Sequence, residues 1–359
     1  MKPTFHQLTI KDIKKETADT VSIAFDVPAS LAADYKFVPG QYLTLRADIN
    51  GEDIRRSYSI SSALSEGELR VAVKEVENGK FSTYANKSLS AGDVMDVMTP
   101  QGGFIVESDS AAQNNYVFYA AGSGITPVLS MVRTLLETES DCNVFLYYGN
   151  KSAEATIFKN ELDALANNYT NFKLNYILSR EDSGDANRNG RIDAAKCAYF
   201  YTAELEALKL QGVYACGPES MIETVKDFYT TKGLLHKVHF ELFTTPVVSS
   251  LEGATTEAEA NESAQVNAEV TVIIDDEEYS FPLATSGKDI LSAAQDADAD
   301  VPFSCKGGVC CTCRAKVMEG KVKMTLNFAL EEDEVADGFV LTCQSHPITE
   351  KVVISFDEY

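Results

Sequence analysis

Over its first hundred residues the chain alternates apolar and polar positions, as half-buried strands do. The clearest alternating segments are Val21–Phe25, Tyr42–Leu45 and Leu69–Lys74, separated by turn signals at Pro39–Gly40, Asn50–Gly51, Glu66–Gly67 and Ala91–Asp93. Short strands at this regular spacing predict a barrel or a sandwich.

Beyond this region the hydrophobic pattern changes. Apolar runs without alternation take turns with helical periodicity, as expected of buried parallel strands and their crossover helices. The predicted strands are Tyr116–Ala121, Asn143–Tyr148, Lys173–Leu178 and Gly212–Cys216, with helices from about Pro127 to Leu136 and over Ala155–Ala166. This order predicts βαβ units around a parallel sheet.

The last third of the chain contains a polar stretch and a small folded segment. Residues 247–268 hold four Glu and no Lys or Arg, with little to bury, which predicts a flexible linker. From Glu269 the pattern predicts a hairpin turning at Asp275–Glu277, then an amphipathic helix over Asp289–Ala297. These elements indicate a small α+β domain.

Length and charge narrow the function classes. A chain of 359 residues is too long for one core, so two or three domains are expected. A net charge of −23 disfavours nucleic acid and anionic membranes as partners. Residues 269–359 alone carry 18 acidic and 7 basic residues, which indicates either steering toward a basic partner or a merely solvated surface.

The expected location is the cytoplasm. No apolar run approaches the length of a membrane span. The first residues, Met1–His6, also lack the apolar core of a signal peptide.

Four cysteines carry the strongest chemical signal. Cys305, Cys310 and Cys313 have the spacing C-x4-C-x2-C, and Cys343 follows a hairpin's length later. This is the spacing of plant-type [2Fe–2S] clusters, which transfer single electrons. Zinc is the competing interpretation, but zinc sites usually pair two C-x2-C units, and only Cys310 and Cys313 have that spacing here.

Two segments of the first domain suggest phosphate and ring binding. The extended segment 55–62 places Arg56 and Tyr58 on one face, where a guanidinium suits a diphosphate and a phenol packs on a flavin. Residues 77–83 form a glycine turn with Ser82 at a predicted helix start, which offers free N–H groups to phosphate. An ordinary edge strand and a plain helix cap are the alternatives.

Two further turns follow predicted parallel strands. Ala121–Pro127 is a strand-to-helix turn that contains G-x-G, and Tyr214–Pro218 ends a later strand. Both would lie at the carboxyl edge of one sheet, where such folds bind their ligands. Cys216 is a candidate for contact with a nicotinamide, or else a small buried residue.

In this order the motifs resemble those of the ferredoxin–NADP reductase superfamily. The boxes R-x-Y-S-x-x-S, G-x-x-S, G-x-G-x-T-P and C-G-P are all present, and a plant-type ferredoxin follows them. The domain order is similar to that of oxygenase reductases, above all the reductase subunits of phenylacetyl-CoA epoxidases. Shared stretches include PGQYLTL, RRSYSI, AAGSGITP, YYGN and VLTCQSHP.

The resemblance implies an architecture. We expect an antiparallel β-barrel that binds FAD over residues 1–105 and an α/β Rossmann-like parallel sheet for the nicotinamide nucleotide over 106–246. The linker would span 247–268, and a β-grasp ferredoxin domain would span 269–359. FAD is expected over FMN, because FMN is confined to a minority of the superfamily.

The resemblance also implies residue roles. Ser59, Cys216 and Glu241 are expected at the reacting atoms, Arg56 on the FAD diphosphate, and Tyr58 and Phe243 against the flavin ring. Cys305, Cys310, Cys313 and Cys343 are the expected iron ligands. The complete set of expected cofactor-binding residues is Arg56, Ser57, Tyr58, Ser59, Val73, Lys74, Gly79, Phe81, Ser82, Gly122, Gly124, Thr126, Ser179, Arg180, Arg188, Cys216, Gly217, Pro218 and Phe243.

Nucleotide choice depends on a polar loop. Ser179 and Arg180 resemble the pair that meets the 2′-phosphate in NADP-dependent relatives, and Arg188 and Arg191 follow closely. Arginine clusters favour phosphate, so we expect NADPH, with NADH and a merely solvated loop as alternatives.

The expected function is electron transfer from NAD(P)H through FAD and the cluster to an oxygenase with a di-iron centre, as in phenylacetate catabolism. A reductase for another oxygenase or a desaturase is the first alternative. A redox carrier without hydride chemistry is the second.

Overall fold

The computed structural model describes residues 3–106, 114–139, 141–243 and 266–358. Within these residues the chain forms two compact units, one spanning Phe5–Phe243 and the other belonging to the carboxyl-terminal part of the chain. The predicted linker lies outside the described residues over 247–265. The first strand of the carboxyl-terminal unit begins at Asn267, two residues inside the range assigned to the linker.

The amino-terminal part of the first unit is an antiparallel sheet of six strands in the order β4-β3-β6-β1-β2-β5. A bridge between Ile60, just after β4, and Val71 in β5 joins the two edge strands and closes the sheet into a barrel. The elements are β1 (Phe5–Thr17), β2 (Thr20–Asp26), β3 (Tyr42–Ile49), β4 (Glu52–Ser59), β5 (Leu69–Lys74), α1 (Lys80–Lys87) and β6 (Val94–Met98).

The barrel interior is filled by the apolar residues that alternate along these strands. Leu8, Ile23, Leu43, Leu45 and Val71 are each fully buried in one cluster. Burying each such side chain contributes about 1.5–3 kcal/mol relative to exposure. The predicted barrel is therefore confirmed, with the alternation as its cause.

The second part of the first unit is a parallel sheet of five strands in the order β11-β10-β7-β8-β9. Its near-continuous apolar strands are covered by helices, as predicted. The elements are β7 (Asn115–Ala121), α2 (Ile125–Thr138), β8 (Asn143–Asn150), α3 (Lys159–Asn168), β9 (Phe172–Leu178), α4 (Ala194–Phe200), β10 (Leu210–Cys216), α5 (Glu219–Thr231) and β11 (Val238–Glu241).

Helix α3 differs from its prediction. It begins at Lys159, four residues after the predicted start at Ala155. Phe158 precedes it in a left-handed conformation with φ 58° and is buried in the core. Burial of Ile157 and Phe158 therefore fixes a turn where apolar periodicity alone predicted helix.

The barrel and the parallel sheet are joined by contacts from α2. Ser130 Oγ donates to the Ser62 carbonyl at 2.7 Å in a buried position. On the surface, Arg133 pairs with Glu66 at 2.9 Å. These contacts fix the barrel relative to the parallel sheet.

The carboxyl-terminal unit is a mixed sheet of five strands in the order β13-β12-β18-β14-β16, with β12 and β18 parallel. This is the expected β-grasp arrangement. Its elements are β12 (Asn267–Ile274), β13 (Glu277–Ala284), α6 (Ile290–Asp296), β14 (Arg314–Glu319), β15 (Val322–Met324), α7 (Glu332–Ala336), β16 (Phe339–Leu341), β17 (Ser345–Pro347) and β18 (Lys351–Ser355).

Local signals explain the termini of two of these elements. Asp275 and Asp276 both take positive φ in the two-residue β12–β13 turn, which suits the twist of a hairpin. Asp289 caps α6 by accepting from the Ser292 N–H at 2.9 Å. No helix in the described ranges has both the length and the apolarity needed to cross a bilayer.

Candidate functional site

The end of β4 carries the predicted flavin-binding side chains. Tyr58 is half-buried and packs against Phe81, with ring centroids 5.6 Å apart. Burial raises the pKa of the Tyr58 phenol, so it remains protonated at neutral pH. Arg56 is exposed, and its guanidinium donates to the Arg55 carbonyl at 2.7 Å. An exposed guanidinium and an adjacent phenol suit the diphosphate and ring of FAD.

The neighbouring predicted contacts differ in what they can offer. Val73 is fully buried in the barrel core, so only its backbone can reach a ligand. The Lys74 side chain pairs with Asp19 at 3.4 Å. Ser57 Oγ lies 3.1 Å from Thr44 Oγ1. These three side chains are therefore already engaged within the barrel.

The glycine turn before α1 is tightly built. The buried Ser82 Oγ accepts from the Val76 N–H at 3.2 Å and lies 3.3 Å from the Gly79 carbonyl. A Cβ on Gly79 would lie 2.3 Å from Ser82 Oγ, so the turn needs glycine at this position. The Ser82 hydroxyl is thus part of the turn that presents the helix start.

Three predicted catalytic residues meet between the barrel and the parallel sheet. Ser59 Oγ donates to the Glu241 carboxylate at 3.2 Å, although 182 residues separate them in the chain. Glu241 ends β11 and is paired in register with Cys216 at the end of β10. The fold therefore brings a hydroxyl, a carboxyl and a thiol to one place.

Burial sets the protonation of this group. Glu241 is half-buried, and desolvation raises the pKa of its carboxyl to about 8, against the opposing effect of the Ser59 hydrogen bond. Cys216 is fully buried, which raises the pKa of its thiol well above the usual value, with Glu241 adding to the rise. At neutral pH, Cys216 is a neutral thiol and Glu241 is largely protonated.

The G-x-G turn and the C-G-P turn approach each other very closely. A Cβ on Gly124 would lie 2.0 Å from the Cys216 carbonyl oxygen and 2.5 Å from its carbon. Gly122 takes a positive φ of 56°. Thr126 Oγ1 donates to the Ser123 carbonyl at 3.0 Å. Pro218 and Gly217 lead into α5, so both turns lie at the carboxyl edge of the sheet, as predicted.

A residue that the sequence did not single out supports the G-x-G turn. Tyr148 is fully buried in β8, and its hydroxyl donates to the Gly122 carbonyl at 3.0 Å. The same hydroxyl lies 3.4 Å from the Ile157 carbonyl. Its sequence signals were an apolar strand position and a place in the shared stretch YYGN, and neither distinguishes a core tyrosine from a supporting one.

The predicted 2′-phosphate residues separate into two groups. Ser179 and Arg180 are exposed after β9, and no ion pair of Arg180 is found among the residues that the structure describes. Arg188 instead donates to Asn175 at 3.0 Å and lies 3.6 Å from Asp185. Arg180 is therefore available to an anion, whereas Arg188 already has a carboxylate beside it.

Phe243 is the last described residue of the first unit. It is two residues beyond Glu241 and 39% exposed. An exposed aromatic ring at this end of the sheet is consistent with a place for a flat ligand.

The four predicted ligand cysteines form one connected group of thiols in the carboxyl-terminal unit. Cys310 Sγ and Cys305 Sγ are 3.1 Å apart. The pKa of the Cys305 thiol is held far below its usual range by hydrogen bonds. The donors are the Cys310 and Cys343 thiols and the N–H groups of Gly307 and Val309. A hydrogen bond from Cys343 likewise lowers the pKa of Cys313.

The loop around these thiols has the backbone that such a site requires. Lys306 and Gly308 take positive φ values of 53° and 74°. The Gly307 N–H donates to Cys305 Sγ at 3.3 Å. Cys311, interpreted from sequence as a loop filler, donates from Sγ to the Ala329 carbonyl at 3.2 Å. Four thiols with N–H groups directed at sulfur match the donor set of a [2Fe–2S] cluster.

Comparison with known proteins agrees with this interpretation of the sites. Models of three families match the chain: an oxidoreductase FAD-binding domain over residues 7–105, an oxidoreductase NAD-binding domain over 118–227, and a 2Fe–2S iron–sulfur cluster binding domain over 272–347. The first two ranges cover most of the barrel and of the parallel sheet, and the third covers all four cysteines. FAD, a nicotinamide nucleotide and a [2Fe–2S] cluster are therefore its cofactors.

Relatives match over nearly the whole chain. The chain is 38% identical to a 1,2-phenylacetyl-CoA epoxidase component of Escherichia coli over 99% of its own length and 98% of the relative. It is 32% identical to the ferredoxin reductase component of 3-ketosteroid-9-alpha-monooxygenase of Rhodococcus rhodochrous over 97% and 96%.

A solved structure shares the complete architecture. Phthalate dioxygenase reductase is described as modular, for electron transfer from pyridine nucleotides to [2Fe–2S]. It matches with a TM-score of 0.59 and 26% identity over 98% of each chain. With these matches, the chain belongs to the ferredoxin–NADP reductase family, as an electron-transfer oxidoreductase of oxygenase systems that ends in a plant-type [2Fe–2S] domain.

Proposed function

We propose that this protein passes electrons from NADPH to the di-iron component of a phenylacetyl-CoA epoxidase. The observation that supports the hydride chemistry is the meeting of Ser59 and Glu241 at 3.2 Å, with Cys216 in strand register, beside the Gly124 turn. The 38% identity to a 1,2-phenylacetyl-CoA epoxidase component of Escherichia coli supports the acceptor. When bound, the cofactors supply a hydride, its division into single electrons, and their release. The protein binds and orients them.

The residues have separate tasks. When FAD binds, Arg56 would hold its diphosphate, Tyr58 and Phe243 would pack against its ring, and the Ser82 turn would receive phosphate. Gly124 lets the nucleotide turn lie directly against Cys216, so that a nicotinamide has a narrow place next to the flavin. The Glu241 carboxyl, mostly protonated at neutral pH and hydrogen-bonded to Ser59, would keep a proton available to the bound flavin.

NADPH is preferred because of Arg180. It is exposed at the end of β9 without an ion pair among the described residues, whereas Arg188 is engaged. Replacing Arg180 by Ala should raise the KM for NADPH about tenfold and leave that for NADH nearly unchanged. R188A should change the NADPH preference less, because Arg188 already has Asp185 as a partner.

The acceptor docks on the acidic carboxyl-terminal domain. Helix α7 and its ends carry Glu331, Glu332, Asp333 and Asp337, all exposed, next to β16, which leads to Cys343. A basic partner surface would be steered to this helix. E332K/D333K should slow acceptor reduction and weaken its salt dependence. The matched variant E277K/E278K, at the exposed start of β13, should slow acceptor reduction much less.

One experiment tests the central proposal. Anaerobic titration with NADPH and with NADH is followed by visible absorption and EPR. We expect flavin absorbance to fall and a reduced-cluster signal to appear at lower NADPH than NADH concentrations. A reconstituted protein whose flavin is not bleached by either nucleotide would instead be a carrier without hydride chemistry.

A second arm separates the acceptors. The proposal expects rapid reduction of a phenylacetyl-CoA epoxidase oxygenase component, with NADPH as donor. Full flavin and cluster reduction, but faster transfer to another oxygenase or to a desaturase, would keep the reductase and reject this partner. The expected cytoplasmic location is part of the same proposal.

A further inference from the structure

Asn150 ends strand β8 at the carboxyl edge of the parallel sheet. Asn150 pairs in register with Leu178 of β9. The preceding residue, Gly149, pairs with Ala121 of β7. The Asn150 carbonyl accepts from the Ser179 N–H at 2.9 Å. The residue therefore lies between the G-x-G turn and the predicted 2′-phosphate residues. It ends the shared stretch YYGN, to which the sequence assigned no role.

The amide nitrogen of Asn150 is buried and unpartnered. Its Nδ2 has no hydrogen-bond partner among the described residues. The side chain shares a sheet face with Tyr148 and approaches its hydroxyl, which opposes the larger rise that burial causes in the pKa of Tyr148, but Nδ2 does not reach hydrogen-bonding geometry with that hydroxyl. The Tyr148 hydroxyl, however, already donates to the Gly122 carbonyl.

The other end of the same strand supplies the contrast. Asn143 opens β8, and its Nδ2 donates to Asn115 Oδ1 at 2.9 Å. One strand thus carries one satisfied amide at the edge away from the site and one unsatisfied amide at the ligand-binding edge. A buried donor without an acceptor costs free energy comparable to a lost hydrogen bond, so such donors are usually satisfied by a ligand or by water.

We propose that Asn150 binds the adenylate half of the nicotinamide nucleotide, with Nδ2 donating to a ribose or phosphate oxygen. The adenylate half is assigned because Asn150 is bonded through its carbonyl to Ser179, beside Arg180. The assignment rests on the proposed function, which places the nucleotide at this edge. It adds a binding residue that was absent from the expected cofactor-binding set.

The test uses the FAD-loaded full chain and measures binding of 2′-phospho-AMP by calorimetry, with the KM for NADPH measured using ferricyanide as acceptor. N150A should weaken 2′-phospho-AMP about three- to tenfold, the effect of one neutral hydrogen bond, and raise the KM equally with kcat unchanged. N150D has a similar shape but lacks the donor and adds a negative charge. It should weaken binding further.

Thermal melting without nucleotide separates binding from folding. N150A removes an unsatisfied donor and should melt at or above the wild-type temperature. N143A removes a satisfied bond, so it should melt lower and bind 2′-phospho-AMP as the wild type does. An N150A protein that melts lower and binds 2′-phospho-AMP normally would overturn the proposal, since Asn150 would then be satisfied by Tyr148 or water. Because this binding does not require flavin reduction, its outcome is distinguishable from failure of the proposed function.

Discussion

Replacing Gly124 by Ala should uncouple nucleotide binding from flavin reduction. Gly124 has φ −61° and ψ −6°, angles that alanine adopts freely, so the substitution causes no backbone strain. Its effect is purely steric. The new Cβ would lie 2.0 Å from the Cys216 carbonyl oxygen and 3.0 Å from the Gly217 nitrogen, which are backbone atoms and cannot rotate away.

The displacement can be worked from these contacts. An ordinary contact begins near 3.4 Å, so the two turns must separate by about 1.4 Å. A misplacement of about 1 Å can cost roughly a hundredfold in rate, because reacting atoms must be held in line and in contact. Overpacking of this kind also destabilises a protein by about 1–3 kcal/mol.

The assay is anaerobic stopped-flow reduction of bound FAD at saturating NADPH. We expect G124A to bind FAD normally and to reduce it about a hundredfold more slowly. G103A is the control, since a Cβ there meets no atom within 4 Å. A G124A protein with normal FAD content and a wild-type reduction rate would refute the role given to this close approach.

The remaining predictions concern charge and stability. Arg70 is 7% exposed and bonds to Asp12 at 2.8 Å and Glu68 at 2.7 Å; R70M should therefore lower the free energy of unfolding in urea by about 3 kcal/mol, with R70K intermediate. Hydrogen bonds from Arg70 lower the pKa of the Asp12 and Glu68 carboxyls below 3.8 and 4.5, so the stability they contribute should be present above those values and be lost as pH falls below them, through the lowered pKa values of the folded state. An equally steep loss in R70M would contradict this. Burial raises the pKa of Glu241 to about 8, so the stability of the protein should fall as pH rises from about 4.5 through 8. The melting temperatures of the wild type and E241Q, plotted against pH, should therefore diverge over that range. Parallel plots would contradict this prediction.

Local patterns in the sequence predicted the fold class of each domain and the cluster, and the resemblance carried by the order of the motifs added FAD and the nicotinamide nucleotide. Alternation predicted the barrel, apolar runs predicted the parallel sheet, and the spacing of Cys305, Cys310 and Cys313 predicted the cluster loop. These signals are readable because strand period, crossover length and ligand spacing are each fixed within a few neighbouring residues. The start of α3 was misplaced because burial of Phe158 overrides periodicity.

Tertiary structure alone decided how the site is assembled. Ser59 meets Glu241 across 182 residues, and Cys216 joins them through the register of β10 and β11. It also decided that Arg188 is engaged and that, within the described residues, the Asn150 amide is left without a partner. Such facts depend on which strands pair and how closely two turns approach, and these distances are set by packing across the sheet rather than by neighbours in the chain.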